Sequence, residues 1–117
     1  MAGYLTTHVL DTARGCPAAG LSLTLSMIDA GVHHLIAQAV TNQDGRTNTP
    51  ILPEQSFKPG QYELVFHAGQ YLRSHGLVTD DLLFLDEIPI RFGLDQNVHY
   101  HVPLLLSPFG YSTYRGS

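Results

Sequence analysis

The run Leu21-Ser22-Leu23-Thr24-Leu25-Ser26-Met27 alternates apolar and small polar residues at every position. Successive side chains of a β-strand point to opposite faces of a sheet, so a period of two predicts a strand with one buried face and one wet face. Similar alternation dominates the rest of the chain. The pattern therefore assigns the chain to the β class.

Further strand-like runs flank this one and are separated by turn residues. The run 34–41 is similar, but its apolar content predicts burial on both faces. Other strand-like runs cover residues 4–11, 61–66, 88–92 and 98–106, followed by a last short segment. Asn42-Gln43-Asp44-Gly45 has the composition of a turn, because Asp-Gly tolerates positive φ. It places Arg46 at the tip of a predicted hairpin.

A short helix and two prolines interrupt the strands. Residues 69–75 form the one plausible helix, and Gly76 follows in the position of a C-terminal cap. Pro89 and Pro103 each remove a backbone donor, so both should lie at an edge, a bulge or an interface. Seven or eight short strands joined by turns indicate an all-β antiparallel sandwich. At 117 residues we expect a single domain, 1–117.

The composition argues against several classes of partner. Six Lys and Arg residues and a net charge of −4 do not supply a phosphate-binding surface for nucleic acid. Lys58 is the only lysine, and no basic cluster is available to bind an anionic membrane. Charged residues make up 14% of the chain, against about a quarter in typical soluble domains, which favours self-association.

The cysteine count and the absence of apolar segments indicate the compartment. Cys16 is the only cysteine, so no internal disulfide can form and the chain fits a reducing environment. Its position between Gly15 and Pro17 is more typical of a spectator than of a nucleophile. No basic leader with an apolar segment opens the chain, and its apolar runs are far shorter than the ~20 residues of a membrane span. We therefore expect a soluble cytoplasmic protein.

Three histidines on predicted strands are the first candidates for chemistry. His8 shares a strand face with Thr6, and His99 and His101 share a face of another strand. Imidazole changes charge near neutral pH and can relay protons, although a lone histidine on a strand is more often structural. The His-x-His pair also suits zinc, but the sequence shows no third ligand at a spacing that would make a metal site convincing.

Arg46 and the end of the chain are the other candidates. Arg46 carries a fork of donors that suits a planar oxo-acid or urea-like ligand, although an exposed side chain is the default. Residues 111–117 include Tyr111, Tyr114 and Arg115, an unusual composition for a chain end. We expect this segment to have a functional role, in which the terminal carboxylate accepts hydrogen bonds or a proton. The alternative is that the segment is an edge strand that happens to be aromatic. No serine-hydrolase elbow or nucleotide fingerprint occurs.

Four segments together carry a resemblance to a known family. They are Leu5-Thr6-Thr7-His8-Val9-Leu10-Asp11, Arg14-Gly15-Cys16-Pro17-Ala18, His99-Tyr100-His101-Val102-Pro103-Leu104-Leu105-Leu106-Ser107-Pro108 and Tyr114-Arg115-Gly116-Ser117. With them the chain resembles the 5-hydroxyisourate hydrolases, the transthyretin-related enzymes of urate breakdown. The resemblance covers essentially the whole chain, and its ending is highly specific. Transthyretin itself, a thyroid-hormone carrier, shares the fold but lacks this ending and the histidine and arginine positions.

The resemblance implies both an architecture and an activity. The fold would be a transthyretin-like eight-stranded antiparallel β-sandwich with one short helix after the fifth strand. Protomers would join edge to edge into dimers, and two dimers would form a homotetramer with active sites in the channel between them. The implied reaction converts 5-hydroxyisourate into 2-oxo-4-hydroxy-4-carboxy-5-ureidoimidazoline. It would need no cofactor and no metal.

The same resemblance assigns roles to individual residues. The implied catalytic residues are His8, Arg46, His101 and Ser117, and the implied substrate-binding residues are His8, Arg46, Tyr114, Arg115 and Gly116. The two histidines would activate a water and return its proton, with the base left open between them. Arg46 would stabilise charge on the attacked carbonyl. A transthyretin-like carrier and a zinc hydrolase using His8, His99 and His101 are the alternatives.

Overall fold

Two four-stranded sheets pack face to face in the computed structural model, which describes residues 3–116. The strands are β1 (Tyr4–Asp11), β2 (Cys16–Pro17), β3 (Ser22–Asp29), β4 (Val32–Val40), β5 (Gly60–His67), β6 (Glu87–Leu94), β7 (His99–Ser107) and β8 (Gly110–Thr113). One helix, α1 (Ala68–Ser74), follows β5, and a 3₁₀ turn spans Glu54–Ser56. One sheet has the order β2-β1-β7-β8 and the other β4-β3-β5-β6. The predicted eight-stranded sandwich is confirmed.

The core lies between the sheets and is built by the predicted alternation. Leu21, Leu23 and Leu25 are at most 1% exposed, while the intervening Ser22 and Thr24 are half-buried on the other face. The neighbouring strand β5 contributes Leu64 and Phe66 to the same cluster, and the facing sheet contributes Leu5, Val9, Leu104 and Leu106. Burying a side chain of this size stabilises the fold by roughly 1.5–3 kcal/mol, so this face fixes the register of each strand.

Strand β4 is where the burial prediction is wrong. The run 34–41 was expected to be buried on both faces, but β4 is the edge strand of its sheet. Val32, Leu35, Ile36 and Val40 are between 45% and 58% exposed. An apolar run cannot by itself reveal whether a neighbour covers it.

One strand pair departs from the antiparallel pattern. Strands β1 and β7 pair in parallel, with Tyr4 opposite His99, Thr6 opposite His101 and His8 opposite Pro103. No hairpin joins these strands, which lie at opposite ends of the sequence, so no turn constrains their relative direction.

The local signals for the helix and for Pro89 are confirmed, whereas Pro103 lies on β7, a central strand, and not at an edge or a bulge. Helix α1 falls at the predicted place, and Gly76 adopts a φ of +68°, the left-handed conformation of a helix C-cap. Pro89 lies on the edge strand β6. Pro103 interrupts the ladder between β7 and the terminal segment: pairing stops at Leu104 and Thr113 and resumes in the same register at His101 and Gly116. Within residues 3–116 no helix is long and apolar enough to cross a membrane.

Candidate active site

The candidate site lies on the outer face of the sheet that contains β1 and β7. Tyr4, Thr6, His8 and Leu10 are the half-buried residues of β1, and they alternate with buried residues that face the core. Parallel pairing in register places His99 beside Tyr4 and His101 beside Thr6 on that same outer face. The two predicted pairs of face-sharing residues, from opposite ends of the sequence, therefore meet.

His8 and His101 are joined directly by a hydrogen bond. Nδ1 of His8 lies 2.7 Å from Nε2 of His101. The ring planes are within 16° of each other and the centroids are 4.9 Å apart, as expected for two imidazoles joined edge to edge through one N–H···N bond. Each ring thus fixes which nitrogen of the other carries a proton.

The surroundings hold both imidazoles in their neutral forms. Burial and then the charges of His8, Arg46 and His99 lower the pKa of His101 from its ordinary 6.5 to about 4. Burial, followed by the Arg46 charge, also lowers the pKa of His8. Both rings therefore have a free-base form near pH 7, which is the form that can accept a proton from water.

Arg46 is brought to the histidines by the turn that precedes it. The backbone of Arg46 forms an antiparallel bridge with His8, and the carbonyl of Gly45 accepts a hydrogen bond from the Val9 N–H at 2.8 Å. Gly45 has a φ of +73°, and a Cβ there would collide with the Val9 carbonyl oxygen. The prediction that Arg46 lies at the tip of a hairpin is therefore wrong. The turn packs against β1 instead, and this close approach is possible because residue 45 is a glycine.

Gly116 packs directly against His101. Its N–H donates to the His101 carbonyl at 2.7 Å, and the two residues form an isolated bridge. A Cβ built on Gly116 would lie 2.7 Å from Cδ2 and 3.1 Å from Cβ of His101, closer than these atoms can approach. The glycine of the terminal motif therefore leaves room for the imidazole.

Substituting Gly116→Ala should displace the His101 ring and lower turnover while the fold persists. The measurement is the hydrolysis rate beside a thermal unfolding curve. Gly110→Ala is the matched control, because the nearest atom to a Cβ at Gly110 is the Ser107 hydroxyl at 3.6 Å, an ordinary contact. Equal activity of the two variants would contradict the proposed packing role.

Tyr114 and Arg115 of the terminal motif lie elsewhere in the single chain. Arg115 stacks its guanidinium 4.5 Å from the centre of the Tyr100 ring. Tyr114 and Arg115 line a separate cavity of about 290 Å³ beside β6. Ser117, predicted to be catalytic, lies outside the described residues. The structure therefore brings together His8, Arg46, His101 and Gly116, but not Tyr114 and Arg115.

A polar cavity of about 370 Å³ opens beside the histidines. Its volume is in the range of small-molecule sites, roughly 300–1,000 Å³. The lining residues are Tyr4, Thr6, Thr7, Arg46, Thr47, Asn48, Thr49, Pro50, His99 and His101. His8 is not among them and joins the site through its bond to His101. The arrangement offers a ligand a cationic fork, hydroxyls and neutral imidazoles.

Thr6, a residue of this cavity, was not assigned a role from the sequence. Thr6 Oγ1 lies 2.7 Å from Nδ1 of His101 and also 2.7 Å from Nε2 of His99. The signal for Thr6 was its shared face with His8, but the partner strand was not predictable. Ring nitrogens of His8, His99 and His101 are engaged in hydrogen bonds with one another or with Thr6. Among residues 3–116, no three His, Cys, Asp or Glu side chains are grouped to hold a metal ion.

Comparison with known proteins identifies the family. The model of the HIUase/Transthyretin family matches residues 5–116. The chain belongs to the HIUase/Transthyretin family. Within this family, the 5-hydroxyisourate hydrolase of Mesorhizobium japonicum is 56% identical over 115 residues, which cover 98% of this chain and 93% of that protein.

Solved structures from both branches of the HIUase/Transthyretin family share the fold. The Klebsiella pneumoniae 5-hydroxyisourate hydrolase superposes with a TM-score of 0.80 at 33% identity, covering 97% of this chain and 99% of that one. Sea bream transthyretin, solved in complex with thyroxine, gives a TM-score of 0.85 at 30% identity, covering 96% and 93%. Because enzyme and carrier share the sandwich, the side chains of the site must separate them.

Proposed function

We propose that this protein hydrolyses 5-hydroxyisourate, the substrate that names its relatives at up to 56% identity, and that the product is 2-oxo-4-hydroxy-4-carboxy-5-ureidoimidazoline. The observation that carries the proposal is the pair of neutral, hydrogen-bonded imidazoles beside Arg46. Such a pair can take a proton from water and return it near neutral pH without a metal.

In the proposed reaction, water attacks the carbonyl carbon of the six-membered ring. One water proton passes to the His8–His101 pair as the carbon–oxygen bond forms. The carbon–nitrogen bond of the lactam then breaks, and the proton is returned to the departing ring nitrogen. The ring opens to a carboxyl group and an N–H, so the imidazole pair ends as it began. Acid–base catalysis of this kind contributes about 10²–10⁴-fold.

Arg46 is proposed to bind the substrate through its oxygens and to stabilise the negative charge on the attacked carbonyl. Its guanidinium lines the cavity next to His101, and its donors are fixed in a plane that matches adjacent oxygens. The guanidinium is in place before the reaction begins, so its field acts on the charge as the charge develops. Burial lowers the pKa of both imidazoles, and the Arg46 charge lowers it further.

A carrier for an apolar aromatic ligand fits this cavity poorly. Arg46, Asn48, four threonines and two histidines line it. An apolar ligand would strip water from these groups without replacing its hydrogen bonds, at a cost of about 1–3 kcal/mol for each group left unpaired. The polar lining therefore favours a polar, purine-like substrate.

The function is tested by generating 5-hydroxyisourate in place with urate oxidase and following the decay of its ultraviolet band. We expect the protein at catalytic concentration to accelerate the decay over many turnovers, equally in the presence of a strong chelator. A carrier would instead slow the decay and saturate at one equivalent. Loss of activity with the chelator would favour a zinc hydrolase and contradict the mechanism.

The oligomer proposed is a homotetramer, a dimer of dimers. Strands β6 and β8 lie at sheet edges, where another protomer can extend each sheet. Large apolar side chains remain exposed nearby, including Phe84 at 75% and Phe109 at 69%. Tyr114 and Arg115 do not line the histidine cavity of their own chain, so their proposed contact with substrate requires a neighbouring protomer. Native mass spectrometry combined with activity on dilution tests this: a fully active monomer would contradict it.

A further inference from the structure

A continuous chain of hydrogen bonds extends from the His8–His101 pair to an exposed histidine. His101 bonds to His8 through Nε2 and to the Thr6 hydroxyl through Nδ1, each at 2.7 Å. The same hydroxyl lies 2.7 Å from Nε2 of His99. His99 is exposed, and its ring stacks on Tyr4 with the centroids 4.1 Å apart and the planes within 6°.

Two proton arrangements of these groups can conduct a proton along the chain. A hydroxyl has one proton to donate and can accept two hydrogen bonds, so at most one of the two nitrogens accepts from Thr6, and a relay through the hydroxyl requires the other to donate to it. A neutral imidazole carries one proton, so if Nδ1 of His101 donates to Thr6, then Nε2 must accept from His8. In a conducting chain, all bonds therefore run from His8 to His99, or all run in the reverse direction. A proton shifted along the chain converts one arrangement into the other.

We propose that Thr6 is a positioning residue that sets the tautomer of His101 and, with His99, completes a proton relay between the His8–His101 pair and solvent. The inference rests on the proposed hydrolase function. It assigns a role to Thr6 and His99 in addition to those of His8, Arg46 and His101.

Each transfer in the relay leaves the threonine unchanged. When His8, which has taken a proton from water at Nε2, passes its Nδ1 proton to Nε2 of His101, the Nδ1 proton of His101 moves to Thr6 Oγ1. The original hydroxyl proton of Thr6 then moves to Nε2 of His99. One proton enters at His8 and one is bound at His99, which is exposed and exchanges it with water. The reverse sequence returns a proton to His8 for the leaving nitrogen.

The local field favours this direction of transfer. Burial, together with the neighbouring His8, Arg46 and His99, lowers the pKa of His101 to about 4, so a proton does not stay on it. The charged and titratable groups next to the relay are His8 and Tyr4 on β1, Arg46 on the turn and His99 on β7. Of these, His99 is the imidazole at the exposed end of the chain.

The test compares Thr6→Val, which keeps the branched shape but removes the hydroxyl, with Thr6→Ser, which keeps the hydroxyl. We expect Thr6→Val to lower kcat roughly 10- to 100-fold at unchanged KM, the range seen when a histidine at a metal site loses its orienting partner. Thr6→Ser should restore kcat. In the intact protein, ¹⁵N shifts of His101 should show a changed tautomer in Thr6→Val only. Thr24→Val, a half-buried threonine on β3, is the matched control.

His99→Phe tests the exposed end of the relay, because phenylalanine can keep the stack on Tyr4 but carries no nitrogen. We expect its kcat to be reduced in dilute buffer and to recover as imidazole buffer is added, after subtraction of the uncatalysed rate. Wild-type kcat in both Thr6→Val and His99→Phe, with His101→Asn inactive, would refute the relay alone. Wild-type turnover in His101→Asn would refute the relay and the proposed function together.

Discussion

Replacing His101 with asparagine should lower kcat by about 10²–10⁴-fold, the contribution of a positioned acid–base group. Asparagine is polar and similar in size, so it can still bond to Thr6 and His8, but it cannot take up or release a proton near neutral pH. The decay of enzymatically generated 5-hydroxyisourate measures the effect. Thermal unfolding of the variant should stay close to that of wild type.

His34→Asn is the control for this substitution. His34 lies on the exposed edge strand β4, away from the cavity that contains His101. Its replacement should leave turnover unchanged. Equal losses in the two variants would show that the effect of His101→Asn is not specific to the site.

The second large effect is expected from Arg46→Ala, which should reduce turnover by about 10²–10³-fold, as for the loss of one group that stabilises an oxyanion. The substitution should also shift the pH profile of kcat/KM in one direction. Because the Arg46 charge lowers the pKa of His8 and His101, its removal raises both pKa values towards 6.5. The base forms are then lost at a higher pH, so the acid limb of kcat/KM should move upward.

Arg46→Lys separates the charge from the planar fork of donors. Lysine keeps the positive charge, so the acid limb should stay near its wild-type position while turnover still falls. Arg73→Ala is the surface control, since the Arg73 guanidinium bonds only to the Asp81 carbonyl, at 2.9 Å, among the residues described. An unshifted acid limb in Arg46→Ala would contradict the electrostatic role.

Local sequence signals predicted most of the fold because they depend on nearby residues. The alternation from Leu21 to Leu25 predicted which face of β3 is buried, and Gly76 marked the end of α1. At Met27 the prediction is wrong, because the register of β3 shifts after Leu25 and Ile28 is buried instead. The exposure of β4 was not predictable, since an edge strand and a central strand can have the same composition. Whether a strand has a neighbour is a property of the sheet.

The site was only partly predictable for a similar reason. His8 and His101 were singled out by residue type, but their 2.7 Å contact depends on the parallel register of β1 with β7. That register also brings Thr6 between His99 and His101. No signal within either strand specifies it, because the pairing joins residues more than ninety positions apart. The roles of Tyr114, Arg115 and Ser117 stay predictions.

The most direct test of the central claim is a double-mutant cycle on His8→Asn and His101→Asn, read as kcat on enzymatically generated 5-hydroxyisourate. If the two imidazoles work as one proton-transferring pair, each single substitution should remove nearly the whole effect, and the double variant should be no slower than either. Losses that multiply in the double variant, or a single variant with wild-type turnover, would contradict the account.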